Sequence, residues 1–231
     1  MKISSGSYLL DKLLDEGYEK DIITTIYGPA GSGKTLLCLL SLIKIAESGK
    51  KIIFVDTEGG FSIERLKQLS QNYTKILENI IFLRPTSFKG QKKAFEKLKE
   101  IINNKIGMII IDTIAMLYRL ELGKSDDVYE VNRELGKQLS CLAEIARKKK
   151  IPVLITNQVY ADFDNKDKVN IVGGDLLRYS SKCLIELQIT PSGNRRAILK
   201  KHRSISAEKE AAFKIIEKGI AKAREGRGFF F

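Results

Sequence analysis

Histidine is nearly absent, with His202 the only one in 231 residues, and cysteine occurs three times, at Cys38, Cys141 and Cys183. The cysteines lie far apart inside apolar patterns and form no C-x-x-C pair, which argues against a zinc site and against a disulfide framework. No signal peptide opens the chain, and no apolar run approaches the ~20 residues of a membrane span. The expected setting is a reduced cytoplasm with no membrane partner. Internal repeats and low-complexity segments are missing too. A chain of 231 residues, 43% of them hydrophobic, buries one sizeable α/β core and leaves no room for a second large one, so a single domain over 1–231 is expected.

Positive charge, by contrast, is plentiful. Lys and Arg number 40 against 28 Asp and Glu, a net charge of +12, the balance expected of a protein that meets a polyanion. Much of the lysine falls in runs such as Lys89 to Lys99 and Arg147 to Lys150, where a solvated helix face or a helix C-terminus is the commoner meaning.

One octapeptide carries more chemistry than the rest of the chain. Gly28-Pro29-Ala30-Gly31-Ser32-Gly33-Lys34-Thr35 fits the phosphate-binding loop G-x-x-x-x-G-K-[ST] at every fixed position. In that motif the glycines let backbone N–H groups crowd around phosphate oxygens, Lys34 reaches the β- and γ-phosphates, and the Thr35 hydroxyl is the expected Mg²⁺ ligand. The flanks agree with it. Ile22 to Tyr27 is a short β-branched run, and Leu36 to Ile43 is too apolar for anything but a buried helix.

Further strands are expected at Lys51 to Asp56, Asn79 to Arg84, Met108 to Asp112 and Ile151 to Asn157, with helices from Ser62 to about Gln71, Lys89 to Asn103 and about Asp126 to Lys148. Alternation of βαβα with apolar strands predicts a doubly wound, mostly parallel sheet. Leu184 to Thr190 and Arg195 to Lys201 flank Pro191-Ser192-Gly193-Asn194, which reads as a hairpin adding antiparallel strands at the C-terminal edge. Ala207 to Arg224 fits neither period cleanly.

Ligands of such sheets sit at the carboxyl ends of the strands, so the polar residues that close apolar strands matter most. Met108 to Ile111 followed by Asp112 is a Walker B pattern whose carboxylate faces the Mg²⁺. Glu58, just past Asp56, is placed to orient or deprotonate an attacking water; an ordinary turn acid is the alternative. Asn157 and Gln158 put amides past a third strand, able to hydrogen-bond a γ-phosphate or simply to cap the loop.

In order and spacing, the phosphate loop, Val55 to Phe61 with Glu64-Arg65-Leu66, Ile109 to Asp112 and Ile155 to Val159 resemble the RecA recombinase superfamily. Ile3 to Ser7 with Leu10 to Leu14, Gly173-Gly174-Asp175 and Lys200 to Ser204 extend the likeness over almost the whole chain. The resemblance implies a RecA-like ATPase core with ATP and Mg²⁺ as cofactors, Glu58 as the water-activating glutamate, and Gln158 as a γ-phosphate sensor at the base of a DNA-binding loop. It also implies a strand at 211–217. Strand-exchange members carry a helical N-terminal DNA-binding domain and a Phe-x-x-Ala tether; with Gly28 reached after 27 residues, neither is expected here. The pattern looks like the archaeal RadB-type group, core-only relatives that bind ATP and single- and double-stranded DNA, hydrolyse ATP weakly and assist a main recombinase.

By the same resemblance, two DNA-facing loops correspond to Tyr118 to Asp127 and Tyr160 to Lys182. The second supplies the candidate contacts Lys166, Lys168, Arg178 and Lys182, with Tyr160, Phe163 and Tyr179 available to stack on bases. Lys200 to Arg203 is the least diluted basic cluster, and the family places it near a neighbouring subunit's nucleotide. A full strand-exchange ATPase and a KaiC-like signalling ATPase are the competing readings; the single Glu58 before Gly59-Gly60 disfavours the latter. A GTPase is weaker still, because Asn165 to Lys168 lacks the acid that N-K-x-D needs to read guanine. Gly226 to Phe231 matches nothing in the family and has no assigned role.

Overall fold

The structure, a computed structural model, describes residues 2–161 and 169–223. In chain order the elements are β1 (Lys2–Ile3), α1 (Tyr8–Leu13), β2 (Tyr18–Glu19), β3 (Ile23–Tyr27), α2 (Lys34–Glu47), β4 (Lys51–Asp56) and α3 (Ile63–Leu69). There follow α4 (Tyr73–Glu78), β5 (Ile80–Leu83), α5 (Phe88–Ile101), β6 (Ile106–Asp112), α6 (Met116–Leu122), α7 (Val128–Lys149) and β7 (Val153–Asn157). The last are β8 (Val159–Ala161), β9 (Val169–Ile171), α8 (Gly174–Ser180), β10 (Cys183–Ile189), β11 (Arg195–His202), β12 (Glu210–Ile216) and β13 (Gly219–Lys222).

Nine strands form one sheet in the order β13-β12-β11-β10-β3-β7-β6-β4-β5. From β5 to β10 every pairing is parallel, and from β10 to β13 every pairing is antiparallel. The parallel strands are apolar throughout because both of their faces are covered. Ile53, Val55, Ile109 and Ile111 pack under α5, α6 and α7, while Ile52, Phe54, Met108 and Ile110 pack against α2 on the other face. Each such side chain removed from water contributes on the order of 1.5–3 kcal/mol, so the two-sided pattern fixes which strands are central.

α2 is buried nearly all round, and the N-terminal segment explains why. Ser7 caps α1 by accepting from Leu10 N, Asp11 accepts from Ser4 Oγ and Ser5 N, both at 2.6 Å, and Ser41 Oγ of α2 donates to Ser5 O at 2.9 Å. The segment thus covers the side of α2 that the sheet leaves open.

The doubly wound sheet with its antiparallel C-terminal edge is as the sequence indicates. Ser62 does cap a helix, accepting from Arg65 N, and Thr190 to Asn194 closes the expected hairpin. The ambiguous stretch after Ala207 is a second hairpin, β12 and β13. Its periodicity is blurred because Ala211, Phe213 and Ile215 face inward while Ile216, at the turn, faces out. Two expectations fail: neither Tyr118 to Asp127 nor Tyr160 to Lys182 is an open loop. The second holds β9 and α8. The first is helical as well: its first half is α6, and Tyr118 is buried with its hydroxyl on Asn132 Oδ1.

Candidate functional site

β3 lies at the middle of the sheet, between β7 and β10, and the chain leaves it straight into the phosphate loop. A Cβ on Gly28 would stand 2.4 Å from Leu187 O, so only glycine fits there. Gly33 caps α2 at φ 101°, a left-handed conformation that an L side chain resists. The 14 residues of α2 aim the positive end of the helix dipole at the loop. Lys34 Nζ donates to Gly28 O and to Pro29 O, both at 2.8 Å, which folds the ammonium across the loop's mouth. Burial lowers its pKa, opposed by the negative charges of Asp112 and Glu58. Ser32 Oγ is buried within the loop with no partner among the described residues.

Asp112 closes β6 and is itself buried. Its Oδ2 accepts from Thr35 Oγ1 at 2.8 Å and its Oδ1 from the hydroxyl of Thr156 on β7. Burial raises the Asp112 pKa; the two hydroxyls pull it down, and Glu58 and Asp56 push it further up. A desolvated carboxylate touching a hydroxyl is an oxygen donor pair suited to a hard divalent cation.

Asp56, at the end of β4, accepts from Gly59 N at 2.8 Å, Gly60 N at 3.1 Å and Phe61 N at 3.3 Å. That turn projects Glu58 toward the end of β6. Thr57 Oγ1 donates to Thr113 O at 2.7 Å and accepts from Thr113 N at 3.0 Å, locking the two strand ends together. Glu58 Oε1 then accepts from Thr113 Oγ1 at 3.1 Å and from Gln158 Nε2 at 2.9 Å. The other wall comes from the antiparallel edge. Ile215 packs against Gly33, and the Arg65 guanidinium donates to Ile216 O at 2.8 Å and Glu217 O at 2.9 Å.

Lys34, Thr35, Glu58, Asp112 and Gln158 therefore line one cleft of about 390 Å³. Sequence reasoning did not single out Asp56, Thr113 or Thr156, which shape that cleft. Asp56 and Thr156 carried a usable signal, each a polar residue closing an apolar run, of β4 and of β7.

The expected DNA contacts are not gathered in the same way. Lys166 and Lys168, with Phe163, lie outside the described residues. Arg178 is exposed on α8, and its carbonyl accepts from Lys201 Nζ at 2.6 Å. Lys182 is exposed beyond that helix, and its N–H bonds Ile23 O at 3.1 Å, at the end of β3 opposite the phosphate loop. Tyr160 and Tyr179 are exposed and line one groove with Arg119. Lys200 to Arg203 is more diluted than its sequence indicates: Lys200 pairs with Glu208 at 2.8 Å, and Arg203 pairs with Asp21 at 2.7 Å and with Glu19. Glu19 and Asp21, distant in the chain and invisible to a local charge count, offset Arg203, while Lys200 is paired with the nearby Glu208. The Lys148 side chain at the end of α7 pairs with Glu144 and stays exposed.

No helix among the described residues is long and apolar enough to cross a membrane. The profile of the Rad51 family matches residues 1–223. The DNA repair and recombination protein RadB of Methanobrevibacter smithii is 44% identical over 218 residues, covering 91% of this chain and 92% of that protein. RadB of Methanocaldococcus jannaschii is 42% identical over 219 residues, covering 92% of this chain and 98% of that protein. A solved structure described as the RadB recombinase superposes with a TM-score of 0.81 at 35% identity, covering 96% of this chain and all of that one. With the phosphate loop, the acid of β6 and the amide of Gln158 just after β7 converging at the sheet's carboxyl ends, the chain belongs to the Rad51 family of RecA-type recombinases, alongside the RadB proteins.

Proposed function

We propose that this chain is an ATP-binding, slowly hydrolysing DNA-binding protein of homologous recombination and repair, acting as an accessory to a main recombinase of the same superfamily. The observation that carries the nucleotide reading is the convergence of Lys34, Thr35, Asp112, Glu58 and Gln158 on one cleft. The residues present fit ATP with Mg²⁺: a glycine cradle that a Cβ would fill, a buried Ser32 hydroxyl without a partner, and an oxygen donor pair in Thr35 and Asp112. Thr35 and Asp112 would hold the ion, which when bound neutralises charge on the phosphates. Lys34 binds the β/γ oxygens, Glu58 holds and polarises the attacking water, and Gln158 reports the γ-phosphate to the segment after β7.

The slow-turnover reading rests on the cleft's cations. Among the described residues that line it these are Lys34 and Arg65, and Arg65 is committed to the carbonyls of Ile216 and Glu217. With no cation besides these two lining the cleft among the described residues, the charge that develops on the transferring phosphoryl group is stabilised less than in efficient members of this reaction class. The DNA reading draws support from the net charge of +12 and from the exposed Arg178, Lys182, Tyr160 and Tyr179. Calorimetric titration with ATP·Mg²⁺ tests the first part, and electron microscopy with ATP and single-stranded DNA tests the second. Long regular filaments accompanied by strand exchange would favour a full recombinase over an accessory.

A further inference from the structure

The antiparallel half of the sheet touches the phosphate loop at three glycines, and one of those contacts is polar. Leu187 O of β10 crowds Gly28, and Ile215 of β12 lies against Gly33. Arg195, the first residue of β11, donates from Nη2 to Gly31 O at 3.0 Å and from Nη1 to Gly193 O in the hairpin turn. Its Nε is buried without an acceptor among the described residues. The guanidinium thus bridges hairpin and loop, while β11 is already held in the sheet by its backbone register on both sides. The adjacent Arg196 makes no such bridge: it donates to Gln188 Oε1 at 2.8 Å and pairs with Glu210 at 3.5 Å.

We propose that Arg195 is a positioning residue for the phosphates, an inference that rests on the nucleotide reading above. The peptide plane between Gly31 and Ser32 carries its carbonyl and its N–H on opposite sides, so anchoring the Gly31 oxygen to the hairpin reinforces the turn in which the Ser32 N–H donates to Pro29 O at 3.3 Å. A loop held this way before a ligand arrives loses less entropy on binding. A fixed positive charge beside the loop adds electrostatic attraction for a polyphosphate. Lysine at this position keeps the charge but not the planar fork that spans two carbonyls, so Arg195→Lys separates the two contributions.

The test is calorimetric titration of the full chain with ATP·Mg²⁺ and with ADP for wild type, Arg195→Ala, Arg195→Lys and Arg196→Ala, with thermal midpoints recorded without nucleotide. Arg195→Ala is expected to weaken both nucleotides by roughly three- to tenfold, Arg195→Lys to fall between it and wild type, and Arg196→Ala to stay within about twofold. Ligand-free midpoints of all three variants should lie within about 2 °C of wild type, separating a binding role from a folding one. Unchanged ATP affinity in Arg195→Ala overturns the proposal, and so does an equal loss in Arg196→Ala, which would mean that charge acts diffusely. If Arg195→Ala does not fold, Arg195→Lys and Arg195→Gln carry the comparison, and wild-type affinity in both is the overturning result. A wild-type chain that binds no ATP instead sinks the nucleotide reading itself, a distinguishable failure.

Discussion

Lys34 is buried and folded onto the two carbonyls that begin its own loop, which holds its charge where phosphate oxygens would arrive. Removing it leaves the cradle without its cation, so Lys34→Ala should lower ATP·Mg²⁺ affinity by about two orders of magnitude in calorimetry. Glu58→Gln keeps the shape of the side chain and a contact to Thr113, so affinity should stay within about threefold while turnover falls; a large loss of affinity would reassign Glu58 to structure. Asp112 works against the fold. Burial raises its pKa, so the folded state binds its proton more tightly than the unfolded chain does, and stability falls as pH climbs from the ordinary value of 3.8 through the raised one. Asp112→Asn removes that burden; its Oδ1 still accepts from one of the two threonine hydroxyls, while the other turns to accept from Nδ2. Its ligand-free thermal midpoint at neutral pH should exceed wild type's, its pH profile across that window should be flatter, and the Mg²⁺ dependence of ATP binding should disappear.

Among the elements, the legible ones were those whose signal is local. β4, β6 and β7 are apolar runs covered on two faces, and α2 had to follow a phosphate loop. Glu58, Asp112 and Gln158 stood out because each is a polar residue closing such a run, a position with little structural use for an acid or amide. What was not legible depends on contacts far apart in the chain. α4, α6 and α8 have six or seven residues each, too short to be helical without tertiary packing, and so the first half of the expected Tyr118 loop is helix. Thr113 and Thr156 join the site through strand neighbours, and Arg203 is neutralised by acids near residue 20. The DNA assignment belongs at this scale too. Reversing Arg178 and Lys182 on and after α8 to Glu should weaken DNA binding more than reversing Lys148 and Lys149 at the end of α7, read by fluorescence anisotropy. Equal losses would mean that no one element carries the contact.

For the whole molecule, charge and fold point the same way. A net +12 on a RecA-type core predicts DNA affinity that is largely independent of sequence and falls linearly with salt on a log–log plot; a flat salt response would remove DNA as the polyanion. An ATP-switched accessory whose cleft binds better than it turns over is distinguished from a full recombinase by steady-state ATP hydrolysis of the purified chain with and without single-stranded DNA. Turnover should lie well below the ~10 s⁻¹ typical of enzymes, be stimulated less than about twofold by DNA and be abolished by Lys34→Ala. Turnover that DNA raises by about tenfold or more, to rates ordinary for an enzyme, would contradict the accessory role.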